Sequence, residues 1–250
     1  MPFRGESRGG ESTMIKHCFV FQPRANRIET DRYYFRFHSK EVVRFFGPWL
    51  RRYETYDAYD APPEADRFGV RRGRLTELWY DNVEAFIEAK PLQRPYTPPP
   101  GGWDKFFGTD GAVTIAPAMP TEDFLGKEPA PEERPFIRWY QVIGYPDRVS
   151  PEEADRWYVE VHAKEAAKQP GLLRFVSHRA LKNPPFPTPW LRVSELWYED
   201  FSAWRKAVIE SPPRYTPAPW GGSYPFVNMV STFVPYKPDV DFLKDNPLIP

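Results

Sequence analysis

The chain has 250 residues, 41% of them hydrophobic and 17% aromatic, which is enough to bury a core of one or two domains. Its 34 basic and 34 acidic residues give zero formal net charge, which argues against a nucleic-acid or membrane partner. The single cysteine, Cys18, excludes an internal disulfide and a cysteine-rich zinc site. No apolar run approaches the ~18 residues of a membrane span, so we expect a cytoplasmic protein.

The first half of the chain is predicted to begin with a loose leader over 1–13 and a strand over 14–23. A polar stretch that can start a helix follows. The residues 44–59 and 60–67 lengthen the middle of this half, and a Pro/Gly loop at 98–102 precedes a closing strand at 112–120. A Pro- and Glu-rich linker is expected over 121–135.

The second half gives clearer boundaries, with a strand predicted over 136–145 and a helix that starts at Ser150 and ends near Gln169. Ser150 can cap that helix, and Pro151 suits its first turn. Strands are expected over 172–181 and 190–198, then a helix over 199–210, a loop over 214–224 and a closing strand over 226–235. The residues 237–250 are predicted to form a tail.

Three blocks of the first half return in the same order in the second half. DRYYFRFHSKE at 31–41 returns as DRWYVEVHAKE at 155–165, RLTELWY at 74–80 as RVSELWY at 192–198, and YTP at 96–98 as YTP at 215–217. Repeats in this order indicate a tandem duplication. Each half, 14–120 and 136–236, is therefore predicted to form an α+β, ferredoxin-like β-α-β-β-α-β unit. We expect the two sheets to pack face to face as an intramolecular α/β-barrel pseudo-dimer.

The run WYVEVH at 157–162, followed by QPGLLRF at 169–175, resembles the EthD-type branch of the dimeric α/β-barrel superfamily. The match is closest in the second half. In the first half Tyr34 and His38 are retained, but FGPWL at 46–50 replaces the Pro-Gly turn. The resemblance implies a scaffold shared by cofactor-free isomerases, cyclases and decarboxylases, by oxygenases and by haem enzymes, so the reaction has to be argued from the site.

The repeated histidines are the first catalytic candidates. On a helix, Tyr34, His38 and Glu41 share one stripe, as do their counterparts in the second half, Tyr158, His162 and Glu165. A carboxylate that fixes the imidazole tautomer leaves the other ring nitrogen as a base or acid, and the tyrosine can donate to an oxyanion. In the alternative interpretation the histidine packs helix against sheet and the glutamate pairs with Lys40 or Lys164.

His178 and Arg174 are further candidates because strand alternation places them on one face of the strand 172–181. Neither His178 nor His17 is repeated as a histidine in the other half, and His17 aligns with Trp139. Such asymmetry can mark one surviving site. The alternative for His178 is a solvent-facing residue of an edge strand.

The repeated glutamates Glu77 and Glu195 share strand faces with Trp79 and Trp197. A buried carboxylate beside aromatic rings has a raised pKa and suits general-acid chemistry. The alternative is an ion pair with Arg74, Arg192 or a helix lysine. A set of aromatic side chains in the Pro/Gly loops is expected to roof an apolar pocket or to pack the halves together: Tyr96, Tyr215, Trp103, Phe106, Phe107 and Trp220.

Three hypotheses follow from these observations. The first is a cofactor-independent lyase, isomerase or cyclase that uses histidine acid/base catalysis on a small aromatic or polyketide-like substrate, as in aromatic compound degradation. The second is a non-catalytic accessory protein that binds a small ligand. The third is a haem or metal enzyme built on the two His-x-x-Glu stripes. A homodimer is a further expectation, based on aromatic loops and sheet edges.

Overall fold

The computed structural model describes residues 14–23, 26–108, 111–130 and 137–245, with the side chain of Phe107 left out. The predicted leader at 1–13, the last part of the linker at 131–135, Phe136 at the start of a predicted strand and the end of the tail lie outside the described residues. Among the residues that are described, no helix is long and apolar enough to cross a membrane.

The first half contains four strands of a ferredoxin-like unit, β1 (Ile15–Phe21), β2 (Leu50–Asp57), β3 (Arg74–Tyr80) and β4 (Ala112–Pro117), of which β1 and β4 lie close to their predicted positions and β2 lies within the stretch 44–59. A continuous helix, α1, covers 27–46, and two shorter helices follow β3, α2 (Val83–Ala89) and α3 (Trp103–Phe107). A 3₁₀ turn, Pro63–Phe68, lies in the lengthened connection between β2 and β3.

The second half repeats this order, with β6 (Ile137–Gly144), β7 (Arg174–Arg179), β8 (Arg192–Tyr198) and β9 (Asn228–Pro235). Helix α4 covers 151–166 and α5 covers 201–210. As predicted, Ser150 caps α4, its hydroxyl accepting from the Glu153 amide at 3.1 Å, with Pro151 in the first turn. The predicted fold class is therefore confirmed.

Two short strands, β5 (Glu122–Asp123) and β10 (Val240–Asp241), complete the sheets, which are antiparallel and of identical strand order, β10-β2-β3-β1-β4 and β5-β7-β8-β6-β9. Their inner faces meet in a core of small and branched side chains such as Val20, Leu75, Val142 and Val193. The helices cover the outer faces, so each half also has its own core between helices and sheet. A candidate site can therefore lie within each half, between its helices and its sheet.

Each sheet is completed by a strand that follows the other repeat. The predicted linker contributes β5 (Glu122–Asp123), which pairs with β7, and the predicted tail contributes β10 (Val240–Asp241), which pairs with β2. The opposite edges are covered by crossing loops: the Tyr59 amide donates to the Phe233 carbonyl on β9 at 2.8 Å, and the Leu181 amide donates to the Ile115 carbonyl on β4 at 2.9 Å. The crossing contacts cover the edge strands of both sheets.

Candidate functional site in the first repeat

Both long helices change from α to π geometry at the repeated Tyr-x-x-x-His motif, over Tyr34–His38 and Tyr158–His162. A π segment widens the helix by one residue per turn and is frequent at functional sites. Here the tyrosine and the histidine of each segment are buried toward the sheet. The motif thus places one imidazole and one phenol in the helix–sheet space of each half.

The glutamates of the predicted stripes contact loops and not lysines. Glu41 accepts hydrogen bonds from the Thr97 amide at 3.0 Å and the Thr97 hydroxyl at 2.5 Å. Glu165 accepts the same pair from Thr216, at 2.8 and 2.5 Å. These contacts account for the repetition of Tyr-Thr-Pro together with the glutamates: the carboxylate fixes the loop that holds Tyr96 or Tyr215.

A cavity of about 400 Å³ lies between α1 and the first sheet. Its apolar walls include Phe19, Phe21, Leu78 and Trp103. The polar groups that line it come from two strands, one helix and one loop, and they are His17, Tyr34, His38, Thr76, Tyr80, Arg94 and Tyr96. This volume lies in the range of small-molecule sites. Of the predicted residues, the cavity brings together Tyr34, His38, Tyr96 and Trp103.

The hydroxyl groups at the cavity wall form a chain of hydrogen bonds. Tyr53 donates to the Tyr34 hydroxyl at 3.0 Å, and the Tyr34 and Thr76 hydroxyls are 2.9 Å apart. When Tyr34 donates to Thr76, the Thr76 hydroxyl keeps its own proton for a further acceptor. Thr76 lines the cavity and can therefore donate this proton to an oxygen of a bound molecule.

Two imidazoles line the cavity and both are neutral at physiological pH. Burial lowers the pKa of His17 to about 3. Burial also lowers the pKa of His38 to about 4, against a smaller opposing effect of Glu41. Nε2 of His17 is buried and has no hydrogen-bond partner among the described residues, and the same is true of the Tyr80 hydroxyl. Both orphaned groups belong to residues of the cavity wall.

In the second repeat the equivalent space is filled with side chains. The strand register equates His17, opposite Leu78, with Trp139, opposite Leu196. Trp139 is fully buried and packs at 5.9 Å from Trp204 and 5.8 Å from Phe233. His162, whose pKa burial lowers to about 4, stacks between aromatic rings, including Tyr215 at 5.3 Å.

Phe68, from the 3₁₀ turn of the first repeat, completes the filling of the second. Its ring lies 5.3 Å from Trp139 and 5.6 Å from Tyr224. Ser231 fixes both partners, since its hydroxyl donates to the Phe68 carbonyl at 3.0 Å and accepts from Nε1 of Trp139 at 3.1 Å. Gly69 permits the approach, because a Cβ there would lie 2.3 Å from the Met229 carbonyl oxygen.

The reciprocal crossing loop, from the second repeat, reaches the first cavity but leaves it open. Phe186 packs behind His17 with the ring centroids 5.4 Å apart, and it also contacts Phe86 at 6.4 Å. The two halves thus exchange one phenylalanine each. Only Phe68 is fully buried in the opposite repeat, whereas Phe186 is half-buried.

The predicted residues Glu77 and Glu195 lie between the sheets, away from the cavity. Nζ of Lys16 is 3.0 Å from Oε1 of each glutamate, and Arg138 is 3.1 Å from Oε2 of Glu195. Although burial alone raises the pKa of Glu195, Lys16 and Arg138 outweigh it and hold the pKa well below its usual range. The general-acid interpretation is therefore wrong for Glu195. The ion-pair alternative was right in kind, but the partners are strand residues that it did not name.

The other candidates from the sequence also lie outside the cavity. His178 is buried between the sheets, 2.9 Å from the Pro117 carbonyl and 3.6 Å from Glu195, so the solvent-facing alternative is wrong. Arg174 pairs with Glu128 and stacks on Trp197 at 5.0 Å. Trp79 lies beside Lys16 at 5.9 Å.

The metal hypothesis does not fit these residues. Glu41 and Glu165 use their carboxylate oxygens to hold Thr97 and Thr216, so neither completes a His-x-x-Glu ligand pair. Among the described residues no group of three or more His, Cys, Asp or Glu side chains has the geometry to hold a metal ion.

Most residues of the cavity wall could not be predicted from the sequence. His17 stood out only as an unrepeated histidine, and Thr76, Tyr80 and Arg94 carried no signal of their own. Strand alternation predicts which face of β1 carries His17. It does not predict which residues of other elements lie opposite that face. The contacts that bring β1, β3 and the loop at 91–96 together are visible only in the three-dimensional structure.

A family model described as the chalcone isomerase N-terminal domain matches residues 14–97. The crystal structure of an anthrone oxidase-like protein is similar with a TM-score of 0.50 at 10% identity, over 89% of this chain and 91% of that chain. That likeness confirms the dimeric α/β-barrel fold. The chlorite dismutase of Candidatus Nitrospira defluvii in complex with imidazole gives a TM-score of 0.40 at 8% identity, over 90% and 92%. No curated protein matches the chain.

Proposed function

We propose that the first repeat binds a small aromatic carbonyl compound and moves a proton at one of its carbon atoms, by the chain's own side chains. This is the shared first step of the lyase, isomerase and cyclase reactions that the sequence suggested. One observation carries the proposal: two buried, neutral imidazoles line an open cavity of about 400 Å³ in one repeat, while the other repeat is filled. The EthD-type branch, a cytoplasmic location and a role in aromatic compound breakdown are parts of the same proposal.

The cavity suits a flat apolar molecule. Phe19, Phe21, Leu78 and Trp103 provide aromatic and aliphatic walls, and only a few polar groups interrupt them. Such a ratio of apolar wall to isolated polar groups is typical of sites that orient a substrate by a few hydrogen bonds.

The proton transfer follows from the positions of His38 and Thr76. A neutral imidazole accepts the proton from a carbon whose anion is delocalised onto a carbonyl oxygen. The C–H bond breaks, its electron pair moves into the ring system, and the negative charge collects on oxygen, where the Thr76 hydroxyl donates a hydrogen bond. The imidazolium then returns the proton to another carbon or to the oxygen, which completes an isomerisation. His17, on the facing strand, is the second candidate base.

The alternative of a non-catalytic binding protein uses the same cavity and predicts binding without proton transfer. Anthrone is a suitable probe for both, because the name of one structural neighbour includes it. It is a three-ring ketone whose ring CH₂ protons are acidic through delocalisation onto the carbonyl oxygen. Exchange of these protons for deuterium reports the proposed step without any further reagent.

The test measures anthrone CH₂ exchange in deuterated buffer under anaerobic conditions, by NMR, for the native protein, His38→Gln and His162→Gln. The two histidines occupy equivalent π segments, but only His38 lines the cavity. We expect His38→Gln to lower the protein-catalysed exchange rate about 10²-fold or more, and His162→Gln to leave it within about twofold.

Binding of anthrone without accelerated exchange would support the non-catalytic alternative. Equal losses in both variants would contradict the assignment to the first repeat, because His162 does not line the cavity. Circular dichroism of each variant controls for loss of fold.

A further inference from the structure

We propose that the ligand of this cavity carries a negative charge, and that Arg94 at the cavity rim binds it while the aromatic part fills the interior. The inference rests on the proposed function, because it specifies the chemistry of the molecule bound in the same cavity. The class is an aromatic anion, such as an aryl carboxylate.

The described part of the cavity wall has a positively charged side chain and no negatively charged one. Among the described residues that line the cavity, Arg94 is the one with a permanent charge, and none of them is a carboxylate. Both imidazoles are neutral at physiological pH because burial lowers their pKa values. An anion entering the cavity therefore meets one cation and no repelling charge.

Arg94 also differs from the buried arginines of the protein. Arg74 pairs with Asp31 at 2.9 Å, Arg138 with Glu195 at 3.1 Å, and Arg192 with Asp155 at 2.8 Å. Arg94 is only half-buried, and among the described residues no carboxylate lies within 4.0 Å of its guanidinium. At the cavity wall its guanidinium therefore has no salt-bridge partner among the described residues.

The guanidinium of Arg94 is nevertheless held in place. Its Nε donates to the Ala89 carbonyl at 2.8 Å, and its carbon lies over the rings of Trp49 at 5.8 Å and Phe46 at 6.0 Å. These contacts orient the planar group and occupy one of its five N–H donors. The others remain available for the two-point contact that guanidinium makes with a carboxylate.

The position along the cavity separates the two ends of the ligand. Leu92, beside Arg94, is 68% exposed and marks the rim, whereas His17 and Tyr80 are fully buried and mark the interior. A ligand with its charged group at Arg94 places its rings toward the histidines. This orientation brings the uncharged, reactive part of the molecule to the proposed base.

The test compares naphthoate with its neutral counterpart naphthylmethanol by isothermal titration calorimetry, using the full chain at low and high salt. We expect naphthoate to bind at least about tenfold more tightly to the native protein. Arg94→Gln should remove that preference and leave naphthylmethanol affinity within about twofold, while Arg94→Lys should keep part of it. Arg214→Gln is the matched control, since Arg214 is an exposed arginine that precedes Tyr215 in the second repeat.

The outcomes separate this proposal from the proposed function. If naphthylmethanol binds as tightly as naphthoate, or Arg94→Gln keeps the preference for naphthoate, the role of Arg94 is contradicted while the cavity stands as a binding site. An equal effect of Arg214→Gln would show that net charge alone explains the preference and would also overturn the proposal. If neither probe binds and anthrone exchange is not accelerated, the cavity itself is not the site.

Discussion

The two repeats have the same strands, the same π segments and the same glutamate-to-threonine contacts, but among the described residues the first encloses a cavity where the second packs side chains. The difference comes from a few positions, chiefly His17 against Trp139 and the half-buried Phe186 against the fully buried Phe68. Both copies keep the contacts that hold the scaffold together. A larger side chain, Trp139 in place of His17, and a longer crossing loop, which carries Phe68, close the equivalent space in the second copy.

Removing the filling residue is expected to have the largest effect on this comparison. Phe68→Ala deletes a fully buried ring packed on Trp139, so we expect the free energy of unfolding to fall by about 3–5 kcal/mol. The new space in the second repeat is apolar. Benzene should therefore raise the urea midpoint of Phe68→Ala, as it does for dry cavities.

Phe68→Leu, which keeps most of the side-chain volume, serves as the control and should show no stabilisation by benzene. A loss below about 1 kcal/mol in Phe68→Ala would mean that neighbouring side chains close the space. The second repeat would then not be kept closed by Phe68.

The histidines predict an intermediate effect, seen in the pH dependence of stability. The folded pKa values of His17, about 3, and of His38 and His162, about 4, lie below the unfolded value of ~6.5. In that window the unfolded chain binds protons that the folded chain does not. Stability is therefore highest above about pH 6.5 and falls as the pH drops, by about 1.4 kcal/mol per pH unit for each histidine.

His17→Leu should reduce the slope between about pH 4.5 and 6 by one histidine's share, measured by urea unfolding at several pH values. It changes only the first repeat, and His162→Leu should give the same reduction from the second. An unchanged slope in either variant would show that the histidine in question is already solvated in the folded protein.

The smallest loss of stability is expected from the glutamate contacts, whose removal should also distinguish the two repeats most clearly in ligand binding. Glu41→Gln and Glu165→Gln each weaken a pair of exposed hydrogen bonds to a loop, so we expect a similar loss of about 1 kcal/mol from each. Only Glu41 holds a loop that lines the cavity, through Tyr96. Naphthylmethanol binding should therefore weaken in Glu41→Gln alone, and equal weakening in both would contradict a specific role of the loop.

Much of the architecture could be predicted from the sequence because it is encoded locally. The repeated blocks gave the unit, and Ser150 with Pro151 gave a helix start that the structure reproduces. The contacts between the repeats could not be predicted in this way. Lys16 meets Glu195 across 179 residues of chain, and no local pattern identifies that partner. The same limit applies to Phe68, which lies in a polar stretch and gains its role only from the surface it reaches.

The exchanged edge strands affect how the protein folds during synthesis. The Asp57 amide on β2 donates a hydrogen bond to the Asp239 carboxylate, a partner synthesised 182 residues later, and the Phe242 ring packs against Tyr53 with the centroids 4.6 Å apart. While the ribosome is still adding the second repeat, the first sheet has an open edge at β2 that can pair with other chains. Deleting the short segment that contains β10 should leave this edge open permanently, so its loss endangers solubility more than its two paired residues suggest.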